Sequence, residues 1–328
     1  MSYSVGARPA LRSRQRAARI VGVGAARPSE VISGADLVEP FGKDAPWLVT
    51  RTGIESLRRI TAPETLLQLA EQAARAALDA AGLEPGEVDA ILVATCSGSP
   101  RGEASLSERL AAVLAPHAVA FDVNAACSGF CYALSTAEAM ATMGSADTVL
   151  VVGAEQMSSM IDPVDLGTSI LFADGAGAFV VSACDVSERG IGPVAWSSDG
   201  AHTDVLEIRE GETTLRMQGQ QVFRWAVDEV HKVAARAMAL AGVTSEEIEV
   251  FVPHQANLRI IDAIARKLNL GHATVATDVV ESGNTSAASI PMAVGALRSR
   301  GATRPGQLAL LAGFGAGLSI AAQVVRLP

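Results

Sequence analysis

The chain has 328 residues, 49% of them hydrophobic and 19% charged, with a formal charge of -9 and a sequence pI of about 5.1. A chain of this size buries an ample core or two fused halves, and its acidity argues against nucleic acid or an anionic membrane as the main partner. No apolar run approaches the roughly 18 to 20 residues that a membrane-spanning helix requires, so a soluble protein is expected.

In chain order, five arginines (Arg8, Arg12, Arg14, Arg16 and Arg19) come first, with no apolar segment behind them. They read as a solvated, weakly ordered tail over residues 1–18. Short Val/Ile/Leu runs then alternate with Ala-rich stretches, the pattern of an α/β protein whose strands are covered on both faces. The spacing predicts a helix over "ETLLQLAEQAARAALDAAG", from Glu64 to a glycine stop at Gly82. Further on, "DVNAACSGFCYAL" (Asp122 to Leu134) places Cys127 where an extended segment turns into a helix. Unpaired N–H groups and the dipole at a helix start favour an anion, which would lower the thiol's pKa, and the small neighbours Ala125, Ala126, Ser128 and Gly129 leave room for a substrate carbonyl. A cysteine among alanines is also an ordinary packing residue, and the local context leaves both readings open. Together with Cys96, Cys131 and Cys184 it shows no CxxC spacing, so free thiols in a reducing cytoplasm are expected, without zinc or disulfides.

The second half repeats the first. A helix is predicted from Phe223 to a stop at Gly242, and "AGVTSEEIEVFVPHQ" from Ala241 echoes "AGLEPGEVDAILVAT" from Ala81, a shift of 160 (241 − 81). The same shift brings Asn124 onto Asn284 and "LVVG" ending at Gly153 onto "LLAG" ending at Gly313. Beyond that point "GAGAFVV" from Gly175 pairs with "GAGLSIA" from Gly315 at a shift of 140, so the first half carries about twenty extra residues, roughly 155–174. Loops of such length usually form an interface or a lid. Two equivalent halves follow, residues 19–186 with the nucleophile candidate and residues 187–328. Each reads as strand, helix, strand, helix, strand, strand, giving two mostly parallel sheets with helices between and outside them.

That symmetry sets "VPHQAN" and "SGNTSAAS" at strand ends equivalent to Ala94 and Asn124, so His254 and Asn284 should converge on Cys127. A thiol, an imidazole and an amide donor in one pocket suit acyl transfer. His117, His202, His231 and His272 stand in loop or helix-surface contexts and read as solvated.

Four blocks in this order, "DVNAACSGF", "VPHQANLRII", "GNTSAASIP" and "GFGAGLS", resemble the signatures of the β-ketoacyl-acyl-carrier-protein synthase III family, with "WLVTRTGI" and "DPVDLGTSILFADGAGA" extending the likeness over nearly the whole chain after about Ala18. The resemblance implies a thiolase-like fold, two duplicated halves in a five-layered αβαβα arrangement. It implies an enzyme of fatty acid or polyketide initiation, in which an acyl-CoA primer is carried on Cys127 and condensed decarboxylatively with malonyl-acyl-carrier protein. By the same resemblance His254 and Asn284 stabilise the enolate-like charge, and the backbone N–H groups of Cys127 and Ala316 form the oxyanion hole. Trp47, Arg51, Gly219 and Asn257 correspond to CoA and pantetheine contacts, Arg224 and Arg259 to carrier-protein contacts, and Met157 and Phe314 to the acyl pocket. No metal and no cofactor beyond the substrates is implied, and a cytoplasmic homodimer is. The alternative is an acyltransferase on the same scaffold, which hands the acyl group to another acceptor without decarboxylation. Retention of both His254 and Asn284 favours condensation.

The chain departs from the family pattern at Ala45-Pro46, where Asp-Glu is usual, and at Leu166, where many relatives hold CoA with an arginine. With Met157, a flexible thioether at the acyl site, these departures leave the primer open to a longer, branched or carrier-bound chain.

Overall fold

The computed structural model describes residues 15–99 and 102–328. The first fourteen residues of the expected tail lie outside the described residues. Ala17 and Ala18, placed in that tail by the sequence, are instead fully buried in the first strand.

Ten strands form two five-stranded sheets: β1 (Ala17–Ala26), β2 (Ala90–Ala94), β3 (Val119–Val123), β4 (Thr148–Gln156) and β5 (Asp174–Cys184), then β6 (Ala195–Ser198), β7 (Val250–Pro253), β8 (Thr274–Val275), β9 (Leu308–Gly315) and β10 (Ser319–Arg326). Their orders, β1-β5-β4-β2-β3 and β6-β10-β9-β7-β8, are the same topology written twice. In each sheet one strand, β5 or β10, runs against the other four, as the antiparallel and parallel pairings require.

Seven helices matter to the site: α1 (Ala45–Thr52), α2 (Leu66–Ala81), α3 (Leu106–Leu114), α4 (Gly129–Met143), α5 (Gly219–Ala241), α6 (Leu258–Lys267) and α7 (Ser289–Ser299). Thr65 and Gln68 cap α2 reciprocally through side chain and backbone. Gly82 and Gly242 end α2 and α5 with φ of 67° and 70°, a left-handed turn that glycine adopts without a Cβ clash. One core packs α4 and α7 between the sheets, joining Phe130, Leu134 and Ile290 to Leu92, Val151, Val252 and Leu311. Two others cover the outer faces, one joining α2 and α3 to the first sheet and one joining α5 and α6 to the second. The result is the five-layered αβαβα stack of a thiolase-like fold.

Three expectations need correction. Each half holds five strands and, setting aside α1 in the first, three of these helices, one strand–helix pair more than the pattern suggested. The weakest strands are edges: β3, whose end is the extended segment expected before Cys127, is only partly covered, and β8, which was not expected, has two residues. Helix α5 begins at Gly219, four residues before the predicted start at Phe223. Finally, Gly153 pairs with Gly177 and Gly313 with Ala321, so the last strands are related by 144 (321 − 177), not 140, and the excursion contributes 16 extra residues (160 − 144). Matching glycine runs misaligned them, because Gly315 closes β9 in the second half whereas Gly175 lies inside β5 in the first.

Candidate active site

Both sheets end at equivalent turns. Residues Ala126–Ser128 enter α4 and Ser286–Ala288 enter α7, at the 160-residue shift. In each turn the asparagine two residues ahead caps the chain: Asn124 Oδ1 accepts from Ala126 N at 3.3 Å and Asn284 Oδ1 from Ser286 N at 3.0 Å. Ala126 and Ser286 take positive φ, 46° and 49°, a region costly to a residue with a Cβ. The first turn presents Cys127, only 6% exposed, against a cavity of about 240 Å³.

Cys127 rests on β9. A Cβ on Gly315 would lie 2.8 Å from Cys127 Cβ and 3.1 Å from its Sγ, so only glycine lets this strand pass so close. His254 follows β7. Its amide donates to Ala312 O on β9 (2.8 Å), its ring stands edge-on to Phe314 at 5.2 Å, and Nδ1 bonds Ser289 Oγ at 2.7 Å, at the start of α7. Asn284 is buried and pinned by its backbone to the excursion, donating to Leu171 O (2.8 Å) and accepting from Ala173 N (2.9 Å). Ser286 closes the set: it lines the same cavity as Cys127, and its hydroxyl donates to Glu155 Oε1 at 2.9 Å. The three expected side chains thus come from the two halves to one end of the sheets.

The expected activation of the thiol is overturned. Burial pushes the Cys127 thiol up to about 12, Glu155 adding to the rise while the Ser286 hydrogen bond works against it. Desolvation outweighs what a helix start offers an anion. Burial also pulls the His254 imidazole down to about 3, so it is neutral in the working range. The unfolded chain, with an ordinary histidine near 6.5, then binds more protons than the folded one at acid pH, and stability falls as pH drops from 6.5 toward 3. Thermal melts at pH 7 and near pH 4.5 should show a loss of about 2–3 kcal/mol from this group, absent from His254→Asn; equal slopes in both proteins would contradict it.

Residues 121–200 match the family profile for 3-oxoacyl-[acyl-carrier-protein] synthase III, and residues 238–327 match the profile for the C-terminal part of that family. A β-ketoacyl-[acyl-carrier-protein] synthase III of Mycobacteroides abscessus is 43% identical over 323 residues, which cover 94% of this chain and 94% of that one. The chain belongs to the β-ketoacyl-acyl-carrier-protein synthase III family. A synthase III of Streptomyces coelicolor is 39% identical, covering 95% of this chain and 96% of its own. The crystal structure of the priming β-ketosynthase from the R1128 polyketide biosynthetic pathway superposes with a TM-score of 0.93 at 41% identity, covering 98% of this chain and 99% of that one.

The contacts expected from synthase III resemblance fare unevenly. Met157 and Ala316 line the cavity with Cys127, together with Cys96, Met160 and Phe172. Phe314 does not: it is buried in the core of the second half against His254, because side chains alternate along β9 and its neighbours Gly313 and Gly315 face the nucleophile's turn. Trp47 and Arg51 stack on each other with the guanidinium 4.9 Å from the ring, and Lys43 stands 5.7 Å from the same ring. That spacing leaves no room for a planar base between them, so a sandwich requires one side chain to swing out. Asn257 caps α6 and donates from Nδ2 to Arg51 O at 3.2 Å, which joins α1 to α6 at one rim. Arg259 lies over the Phe223 ring at 5.5 Å, with exposed Arg224 next in sequence. Gly219 is exposed at the start of α5 beside Met217, away from the cavity wall. Leu166 packs half-buried with the apolar cluster around Leu48 and Ile54.

Sequence reasoning missed Glu155, Ser286 and Ser289. Glu155 sits near the end of β4 with no exposed surface. A carboxylate closing the apolar run "VLVVGAE" was the available signal, since such residues are seldom fully buried unless engaged.

Proposed function

We infer that this synthase III family member catalyses an initiating decarboxylative condensation, joining an acyl primer from acyl-CoA to a malonyl unit on acyl carrier protein and giving a β-ketoacyl-carrier protein. The observation that supports this reading is the meeting of the two duplicated turns, which puts Cys127 and Ser286 in one cavity wall, with Asn284 bonded to Ser286 N and His254 tied to Ser289 at the start of α7. Cys127 Sγ attacks the primer thioester, and the N–H groups of Cys127 and Ala316 receive the oxyanion. Asn284 Oδ1 is held by Ser286 N, which leaves Nδ2 to donate. Gln255 N donates to Ser289 Oγ at 3.3 Å, leaving that hydroxyl's own hydrogen for His254 Nδ1 and the imidazole hydrogen on Nε2. Two neutral donors then hold the malonyl thioester oxygen as CO2 leaves and the enolate forms, where a fixed negative charge would oppose the reaction.

The cavity, walled by Met157, Met160, Phe172, Leu206, Ile208 and Leu215, supports a primer longer than acetyl. Its volume equals about eight water-sized units of roughly 30 Å³. On a chain of net charge -9, the cations Lys43, Arg51, Arg224 and Arg259 near the joined rim of α1 and α6 suit an acidic carrier protein. The edge strand β3, with Val119 62% and Phe121 38% exposed, suits pairing with a second copy, because an uncovered apolar edge invites another strand.

Intact-mass profiling with a series of acyl-CoAs, followed by CO2 release on addition of malonyl-acyl-carrier protein, tests the reading. An acyl adduct followed by stoichiometric CO2 is expected. An adduct that reaches another acceptor without CO2 marks simple acyl transfer, and a clear preference for acetyl-CoA rejects the longer primer.

A further inference from the structure

Glu155 has no exposed surface, and its two oxygens face different halves of the chain. Oε2 accepts from Thr95 Oγ1 (3.1 Å), Cys96 N (3.1 Å), Ser97 N (3.1 Å) and Ser97 Oγ, in the turn that follows β2. Oε1 accepts from Ser286 Oγ (2.9 Å) and Ala287 N (3.4 Å), in the turn that enters α7, with the Cys96 thiol also on it at 3.4 Å. All of these neighbours are donors. An ionised carboxylate answers them with both oxygens, whereas an amide of the same size has one acceptor and sets N–H against N–H at its other end. A buried charge is costly unless it is hydrogen-bonded, so its presence here marks a demand for acceptors toward both halves at once.

The two halves brace each other's turns. A Cβ on Gly153 of β4 would lie 2.5 Å from Ala287 O in the second turn, and one on Gly313 of β9 would lie 3.0 Å from Ser128 Cα in the first. Two residues beyond these glycines stand Glu155 and Gly315, equivalent at the 160-residue shift (315 − 155). On β9, glycine leaves space for the Cys127 sulfur; on β4, Glu155 occupies the matching place and bonds the Ser286 turn. That turn aims the amide, because Ser286 N holds Asn284 Oδ1 at 3.0 Å while Ser286 itself keeps φ at 49°. Backbone in that region persists only where its surroundings over-determine it.

We propose that Glu155 is a positioning residue for condensation: it ties the turn after β2 to the Ser286 turn across the two halves and so fixes the direction of Asn284 Nδ2. The proposal rests on the reading of Asn284 as a donor to the malonyl thioester oxygen. Glu155 is not among the residues that line the cavity, and it acts on the reaction only through Ser286 and Ala287. The Cys127 turn is supported separately by β9.

Glu155→Gln tests it. The single acceptor oxygen of the amide is drawn to the four donors at Thr95–Ser97, which turns the Nε2 hydrogens toward Ala287 N and leaves Asn284 without a fixed aim. Formation of acyl-Cys127 from acyl-CoA, read by rapid quench and intact mass, should stay within about 3-fold of the wild type, whereas CO2 release on adding malonyl-acyl-carrier protein should fall about 10 to 100-fold, the cost of misplacing a reacting group by about 1 Å. A double-mutant cycle separates positioning from a general loosening of the fold. In an Asn284→Ala background, Glu155→Gln should slow CO2 release no further, because the group it aims is gone. Losses that multiply in the double variant, equal slowing of both steps, or CO2 release at the wild-type rate each overturn the proposal. Should Glu155→Gln fail to fold, Ser286→Ala decides. It removes the shorter of the two bonds between Oε1 and this turn, keeps Ser286 N, and should slow CO2 release about 3 to 10-fold more than acylation, the worth of about one hydrogen bond; no such split overturns the proposal. A wild-type protein that forms the adduct but releases no CO2 sinks the condensation reading instead, whereas wild-type release that Glu155→Gln matches sinks only the positioning.

Discussion

Cys127→Ala is expected to abolish the acyl adduct and to lower primer condensation by on the order of 10⁵-fold or more, as removal of a nucleophile does in other covalent catalysts. The loss should be chemical and not structural. Alanine removes one sulfur from a position that borders an existing cavity, and it keeps the Cβ that packs on Gly315. The fold should be disturbed by no more than about 1–2 kcal/mol, within the range for small core truncations. Intact mass after incubation with acyl-CoA, beside a thermal melt, checks both halves of the statement. An adduct persisting on the variant would transfer the nucleophile's role elsewhere, with Cys96 in the same cavity wall the first place to look.

Asn284→Asp should leave acylation nearly intact and slow condensation by about 100 to 1000-fold, the usual cost of losing one preorganised donor. The orientation of the amide makes this split specific. Oδ1 is already occupied by Ser286 N, and an aspartate oxygen keeps that bond. The change falls on the other atom, where a donor becomes an acceptor carrying negative charge, facing a carbon that must itself become negative. Rates of adduct formation and of CO2 release, measured separately, should diverge in the variant. Equal loss in both steps would instead point to a misplaced turn.

Much of this molecule was legible in its sequence because duplication leaves a trace. Cys127 was legible from its own strand-to-helix context, a 160-residue shift carried Asn124 onto Asn284, and "VPHQAN" gave His254 through the equivalent strand end. What stayed hidden depends on burial or on register between distant segments. The thiol's ionisation was misjudged because a helix start can be read from neighbours, whereas desolvation depends on how β9 closes over the sulfur. Glu155 and Ser286 are 131 positions apart and belong to different halves, so nothing local announces their bond. Phe314 was assigned to the pocket by the family resemblance alone, whereas alternation along β9 sends it to the face opposite Gly313 and Gly315. The edge strand β8, two residues long, lacked the apolar run that revealed its interior partners.

The matched torsions at Ala126 and Ser286 carry an implication for how such a protein can change. Each costs on the order of 1 kcal/mol or more relative to relaxed backbone, and glycine would relieve it at either position while loosening the loop that aims a reactive group. Stabilising substitutions found by selection for heat resistance alone would therefore be drawn to the two spots where they do most harm to turnover. Because the two lobes repeat one topology, the same hazard stands twice in one polypeptide, once under the Cys127 sulfur and once under the Ser286 hydroxyl.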